Sequence, residues 1–144
     1  MPITYRLSLG SLLLLLPSSR ADPAGPGSVL GWWHGTSTCV QAPWNQACHD
    51  EEILYHVVPA PPDSSRALLH ASKIVEGQVE PMGDQELTYV PARRAWEGDF
   101  ANARVSILWS FALHGDTLVG QLLLRPDMRV ARNVVALRST ATAF

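Results

Sequence analysis

Hydrophobic and polar residues alternate with a period of two along much of the chain after residue 30. In residues 31–39, Trp33 and Cys39 share one face while Trp32 and Thr36 share the other, because successive side chains of a strand point in opposite directions. Tryptophan and threonine also suit a half-buried, pleated surface. The pattern predicts a first β-strand here.

Segments of the same kind recur along the chain. They comprise residues 52–58, 66–75, 86–90, 95–100, 104–113, 117–124 and 129–138. Proline and glycine between them, as at residues 59–62 and 76–84, predict turns. The clearest hairpin turns through His114, Gly115 and Asp116. No segment shows a convincing helical period.

These turns are too short for a crossover helix, so consecutive strands must be antiparallel. The count of about eight strands predicts an all-β protein without substantial helix. Pairing the first strand with the last would remove both exposed edges, which favours an up-and-down barrel over residues 30–144. Two packed sheets are the alternative.

The N-terminus has the features of a secretory signal peptide. Arg6 precedes an apolar run over residues 7–16, and small residues flank Arg20 near a cleavage site after Ala21. The run is about ten residues long, whereas a spanning helix needs roughly twenty, so we expect no membrane anchor. We therefore predict a signal peptide over residues 1–21, a flexible lead-in over residues 22–29, and a secreted or periplasmic protein.

Cys39 and Cys48 are the two cysteines of the chain. In an oxidising compartment they should form a disulfide. The alternative is a metal site completed by His49 or His34, but structural zinc sites usually have four protein ligands and more closely spaced cysteines. The disulfide is the favoured prediction.

The charge excludes some classes of partner. The formal net charge is −2, and cleavage after Ala21 would remove the positive charges of Arg6 and Arg20. A mildly acidic protein lacks the positive surface that binds nucleic acid or anionic membranes. We expect neither as a partner.

Gly31 lies two residues before Trp33 in the first strand, and Arg138 lies at the end of the last strand. This combination resembles the signature of the calycins, the lipocalin and avidin group of barrels. The resemblance implies that Trp33 plugs one end of the barrel and that Arg138 packs across it, with Arg132 as the alternative arginine. The C-terminal helix of lipocalins is absent from the sequence, so the resemblance is to a compact calycin-like barrel. Small secreted metalloprotease inhibitors of bacteria look similar in architecture, although their cysteines are farther apart.

A barrel of eight strands can be filled by side chains or can hold one small ligand. Apolar and aromatic side chains that line a cavity would bind an apolar molecule, although the same residues could fill a core. With Trp33 as the plug, the ligand-binding candidates on the inward face are Tyr55, Leu69, Trp96, Phe100, Trp109, Phe111 and Leu122.

Three histidines, His34, His56 and His70, lie on neighbouring predicted strands. His34 and His70 alternate with inward residues and should point to solvent, so we expect no metal and no cofactor. The acidic residues 50–52 beside His49 are interpreted as a charged rim, and not as a calcium site.

The chain lacks a nucleophile-elbow sequence, a metalloprotease motif and a phosphate-binding glycine loop. The carboxylates of Glu97 and Asp99 should face water, where burial cannot shift their pKa values. We therefore expect no enzymatic activity.

The sequence favours a secreted barrel that binds a small, mostly apolar ligand. The alternative is a protein-binding module, such as an inhibitor of an extracellular enzyme, that acts through its loops or residues 22–27.

Overall fold

A computed structural model describes residues 29–140, which form a closed barrel of eight antiparallel strands in chain order. The strands are β1 (Gly31–Cys39), β2 (Glu51–Pro59), β3 (Arg66–Val75), β4 (Gln78–Val90), β5 (Ala95–Ala101), β6 (Ser106–His114), β7 (Thr117–Leu124) and β8 (Arg129–Ser139). The described residues contain no α-helix, and short 3-10 turns occur at Pro43–Asn45 and Pro91–Arg93. The predicted all-β antiparallel barrel is confirmed.

The barrel closes where β1 pairs with β8. In this ladder Trp33 lies opposite Arg138, and Cys39 lies opposite Arg132. Closure leaves no sheet edge with unpaired backbone groups along these two strands. This contact rules out the alternative of two separate packed sheets.

The two ends of the barrel are filled to different degrees. At the end where β1 begins, here called the closed end, the side chains of Trp33, Trp96 and Phe111 are almost completely buried. They pack with a set of smaller inward residues: Val57, Ala67, Leu87, Leu118, Val134 and Ala136. The end where β1 finishes, here called the open end, carries the cavity described below.

Strand β4 starts earlier than the sequence pattern indicated. The predicted turn over residues 76–84 was wrong in its extent, because a two-residue turn at Glu76 and Gly77 joins β3 directly to β4. Both turn residues have positive φ angles, 52° and 78°, as two-residue hairpin turns require. Pro81 is accommodated in β4 because this part of the strand has no β5 partner that would need its N–H group.

The predicted disulfide between Cys39 and Cys48 is confirmed, with the two Cα atoms 5.9 Å apart. It closes the loop between β1 and β2. Asn45 fixes the same loop from inside, because its Nδ2 donates hydrogen bonds to the carbonyl oxygens of Val40 (2.8 Å) and Ala131 (2.9 Å).

The predicted signal peptide over residues 1–21 and nearly all of the lead-in over residues 22–29 lie outside the described residues. No helix in the described part of the chain is long and apolar enough to span a bilayer. Secretion remains an expectation.

Candidate functional site

A cavity of about 300 Å³ opens at the open end of the barrel. It exists because the inward positions here carry small residues, among them Ser37, Ala71 and Gly83, where the closed end carries tryptophan and phenylalanine. Large side chains therefore fill the interior toward the closed end and leave it hollow toward the open end. We call this space the open-end cavity. A second cleft, of about 430 Å³, lies at the mouth of the closed end and is lined by Tyr89, Trp96 and Leu113 among others.

One side of the cavity is mainly apolar. Leu69 on β3, Met82 on β4, Phe100 on β5, and Ile107 and Trp109 on β6 line it. The ring of Trp109 stacks on that of the core residue Phe111, with 5.6 Å between centroids and nearly parallel planes. This stacking holds the indole as a rigid wall of the cavity.

The rim of the apolar side is exposed. Phe100 is 47% exposed and Met82 is 42% exposed, and both side chains also line the cavity. They lie on β4 and β5, which pair only through three residue pairs near the closed end. Toward the open end, Gln85 bridges the two strands by donating from Nε2 to the carbonyl oxygen of Asp99 (3.2 Å). Apolar surface thus continues from the cavity to solvent between β4 and β5.

The opposite side of the cavity is polar and lies on the neighbouring strands β8, β1 and β2. Arg132 donates from Nη1 to the hydroxyl oxygen of Ser37 (3.1 Å) and from Nη2 to the carbonyl oxygen of His49 (2.9 Å). The same Nη1 lies 3.3 Å from Oε2 of Glu51. The Arg132 guanidinium is therefore held by three partners, two of which also line the cavity.

Tyr55 completes the polar side. Its side chain is almost completely buried, and its ring packs edge-on against Phe111 with 6.1 Å between centroids. Within residues 29–140 its hydroxyl makes no hydrogen bond. Every fully buried side-chain oxygen in this part of the chain has a hydrogen-bond partner, so the hydroxyl is not fully enclosed by protein. The hydroxyl must therefore border the open-end cavity, which Tyr55 lines.

Burial is the main cause that raises the pKa of Tyr55 above its ordinary value. The Glu51 carboxylate raises this pKa further, and the Arg132 guanidinium opposes the rise. The phenol consequently remains protonated at any physiological pH. It faces the cavity as a hydrogen-bond donor.

The structure divides the ligand-binding candidates from the sequence into two groups. Tyr55, Leu69, Phe100 and Trp109 line the open-end cavity, whereas Trp96, Phe111 and Leu122 do not. Trp96 and Phe111 belong to the core of the closed end, and Leu122 is half-buried on β7.

Sequence reasoning missed most of the polar side as a site. The alternation in residues 31–39 places Ser37 on the same face as Trp33, and this was the available signal for an inward hydroxyl. Glu51 was interpreted as part of a charged rim, and Arg132 only as an alternative cover for the plug. Met82 fell in the predicted turn, so its place on a cavity wall was not foreseen.

Trp33 and Arg138 meet at the closed end. Trp33 is fully buried, and its Nε1 donates a hydrogen bond to the carbonyl oxygen of Val29 (2.8 Å). Arg138 lies over the indole with its Cζ 4.2 Å from the ring centroid. Arg132, the alternative arginine, lies at the opposite end of the barrel on the polar side of the cavity.

The closed eight-stranded antiparallel barrel fits a calycin-like fold. No protein-family model matches the chain, and no curated protein is significantly similar to it. The architecture therefore rests on strand number, strand order and closure. Membership of the calycin group is part of the proposal below.

The three histidines of neighbouring strands lie on the outside of the barrel. His34 Nε2 is 2.7 Å from Glu52, and His70 Nδ1 is 2.7 Å from Asp84. His56 stacks on Trp32 with 3.9 Å between ring centroids. Among the described residues, no three His, Cys, Asp or Glu side chains converge where a metal ion could be held.

Proposed function

We propose that this protein is a secreted or periplasmic calycin-like barrel that binds a small, mostly apolar molecule in the open-end cavity without transforming it. The observation that carries the proposal is the half-filled barrel. Its closed end is packed like a protein core, and its open end leaves about 300 Å³ beside an apolar wall. This volume is at the lower limit of roughly 300–1,000 Å³ for small-molecule sites, so the ligand is small.

The chemistry of the wall supports an apolar ligand. Leu69 and Trp109 present aliphatic and aromatic surface to the cavity, and Phe100 extends that surface to the rim. Burial of apolar ligand surface contributes roughly 25 cal/mol per Å², so such a wall is enough to retain a hydrocarbon body. The exposed Phe100 and Met82 give the ligand an apolar path into the cavity.

The disulfide and the N-terminal pattern together support the proposed compartment. A disulfide between Cys39 and Cys48 is typical of an oxidising compartment. The apolar run over residues 7–16, with its small-residue cleavage site, supports export. Mass spectrometry of the mature protein from the native host tests the predicted cleavage after Ala21.

Binding is tested with the uncharged fluorophore N-phenyl-1-naphthylamine, whose emission rises in apolar surroundings. We expect saturable binding by the wild-type protein, and displacement by medium-chain lipids identified by native mass spectrometry. Ala71→Phe should fill the cavity and weaken binding at least tenfold. Ala92→Phe, an exposed position at the closed end, is the matched control and should bind normally. Absence of saturable binding, or equal binding by Ala71→Phe, would contradict the proposal.

A second candidate function is binding of another extracellular protein, such as a secreted enzyme, through the loop between β1 and β2. Trp44 in this loop is 40% exposed, and the guanidinium carbon of Arg129 lies 4.6 Å from its ring centroid. Exposed tryptophan and arginine on a loop held by a disulfide are typical of residues that dominate protein interfaces. In this case the protein should inhibit a member of a panel of secreted proteases, and Trp44→Ala should abolish inhibition while probe binding persists. Deletion of residues 22–27 tests the N-terminal segment in the same assay.

A further inference from the structure

We propose that the ligand of the open-end cavity has at one end an uncharged group that both accepts and donates a hydrogen bond, such as a hydroxyl or a primary amide. This inference rests on the proposed function and specifies the chemical class of the ligand. It comes from the polar side of the cavity, where Tyr55, Ser37, Glu51 and Arg132 lie together.

The Tyr55 hydroxyl supplies the donor. The hydroxyl borders the cavity and can meet a partner that enters it, whereas a phenylalanine at this position would offer the cavity no polar group. Tyr55 is almost completely buried, and its hydroxyl makes no hydrogen bond within the described residues. It borders the cavity as a protonated donor, and a ligand with an acceptor oxygen would satisfy it.

Glu51 supplies the acceptor. Its Oε2 faces Nη1 of Arg132 at 3.3 Å, and an ionised carboxylate has about four acceptor positions on its two oxygens. The side chain is 26% exposed and lines the cavity. A ligand N–H or O–H can therefore donate to this carboxylate beside Tyr55. Tyr55 and Glu51 line the same cavity, so the proposed terminal group would accept from the first and donate to the second.

The charges around this position disfavour an ionised ligand. The guanidinium of Arg132 is already engaged by Ser37, His49 and Glu51. A ligand carboxylate would meet the negative Glu51 and Asp84, which both line the cavity. Asp84 lies at the exposed rim, 2.7 Å from His70. A ligand ammonium beside Tyr55 would meet the positive Arg132. Either ion would also lose hydration on entering a cavity with an apolar wall, which is costly without a free counter-charge.

The test uses chain-matched ligands that displace the neutral fluorophore at pH 7. They are decan-1-ol, decanamide, decyl methyl ether, decanoate and decylammonium. We expect the alcohol and the amide to bind about 5–10-fold more tightly than the two ions, with the ether between them because it accepts but cannot donate. This range corresponds to a net hydrogen-bond contribution near 1 kcal/mol. Tighter or equal binding of decanoate or decylammonium would overturn the inference while the proposed function stands.

Two tyrosine variants test whether the Tyr55 hydroxyl contacts the ligand. Tyr55→Phe should weaken binding of decan-1-ol about 3–10-fold relative to binding of the fluorophore measured on the same variant. The far-UV circular dichroism spectrum of the variant shows whether the barrel remains folded. Tyr89→Phe, a half-buried tyrosine outside the open-end cavity, is the matched control and should change neither. Wild-type affinity for the alcohol in Tyr55→Phe would overturn the inference. Failure of the fluorophore to bind the wild-type protein would instead contradict the proposed function itself.

Discussion

Arg138 covers the indole of Trp33, with its guanidinium carbon 4.2 Å from the ring centroid. The same guanidinium donates from Nη1 to the carbonyl oxygen of Leu30 (2.8 Å) and from Nε to Asp116 (3.1 Å). One side chain near the end of β8 thus contacts the segment before β1, the ring inside the barrel and the turn between β6 and β7. This arrangement seals the closed end.

The first prediction concerns this seal. Arg138→Ala removes a cation–π contact and a charged hydrogen bond to a backbone carbonyl, and should lower the free energy of unfolding by about 2–3 kcal/mol. Arg104→Ala, at an exposed position between β5 and β6, is the control and should change it by less than about 0.5 kcal/mol. Urea denaturation measures both. Equal effects of the two substitutions would show that Arg138 contributes only as a surface arginine.

The second prediction concerns the close approach of β1 to β8 at Gly35. A Cβ atom at this position would lie 2.0 Å from the carbonyl oxygen of Val135 and 2.5 Å from the Cα of Ala136. Both are backbone atoms, so the clash cannot be relieved by a rotamer change. Gly35→Ala should destabilise the protein by about 3 kcal/mol or more.

Thr36→Ala, at the neighbouring exposed position of β1, provides the comparison for Gly35→Ala. It should cost no more than about 1 kcal/mol, the span of strand propensities. Thermal and urea unfolding of both variants test barrel closure. A Gly35→Ala variant as stable as the wild type would mean that β1 and β8 are farther apart than described.

The third prediction concerns the disulfide. Replacement of Cys39 and Cys48 by serine should lower the free energy of unfolding by about 2.5–3 kcal/mol, because the unfolded chain regains the freedom of a loop of about ten residues. Wild-type protein unfolded in the presence of reductant is the internal control and should match the double variant. A loss below about 1 kcal/mol would indicate that Asn45 and its two backbone partners hold the loop without help.

The fourth prediction concerns pH. Burial, and then the neighbouring His70, lower the pKa of His56 below its ordinary value of 6.5. Between the lowered pKa and 6.5 the unfolded chain binds more protons than the folded protein, so the stability falls as the pH falls through this window. Above pH 6.5 the contribution is fully present.

His56→Phe keeps an aromatic ring beside Trp32 but removes the titration. The loss of stability between pH 7.5 and pH 5.5 should therefore be smaller in this variant than in the wild type, as measured by urea unfolding at both values. His114→Gln removes an exposed histidine at the turn between β6 and β7 and should retain the wild-type slope. An unchanged slope in His56→Phe would contradict the prediction.

Local pattern was sufficient for most of the strands. The segment over residues 66–75 was predicted with the bounds that β3 has, because alternation and the flanking turns are properties of neighbouring residues. The start of β4 was wrong because Pro81 and Gly83 indicate a turn locally. The absence of a β5 partner and the register shift against β3 at that point permit these residues in a strand.

The residues of the candidate site were harder to predict from the sequence than the strands. Alternation assigned Tyr55, Trp96, Trp109 and Phe111 to one inward face, but it cannot tell at which height of the barrel a side chain lies. Height depends on the stagger of strands far apart in the chain, and this stagger puts Trp96 and Phe111 in the core while Trp109 borders the cavity.

The sequence alone determined the strand periodicity, the antiparallel order and the pairing of the only two cysteines, because each depends on short-range alternation, short turns or a unique choice of partner. Tertiary structure decided that the barrel is filled at one end and hollow at the other. It also brought Arg132 to Glu51 and Ser37, residues separated by more than 80 positions in the chain. Such contacts depend on the register in which β8 pairs with β1, and this register is a property of the whole sheet that no local pattern encodes.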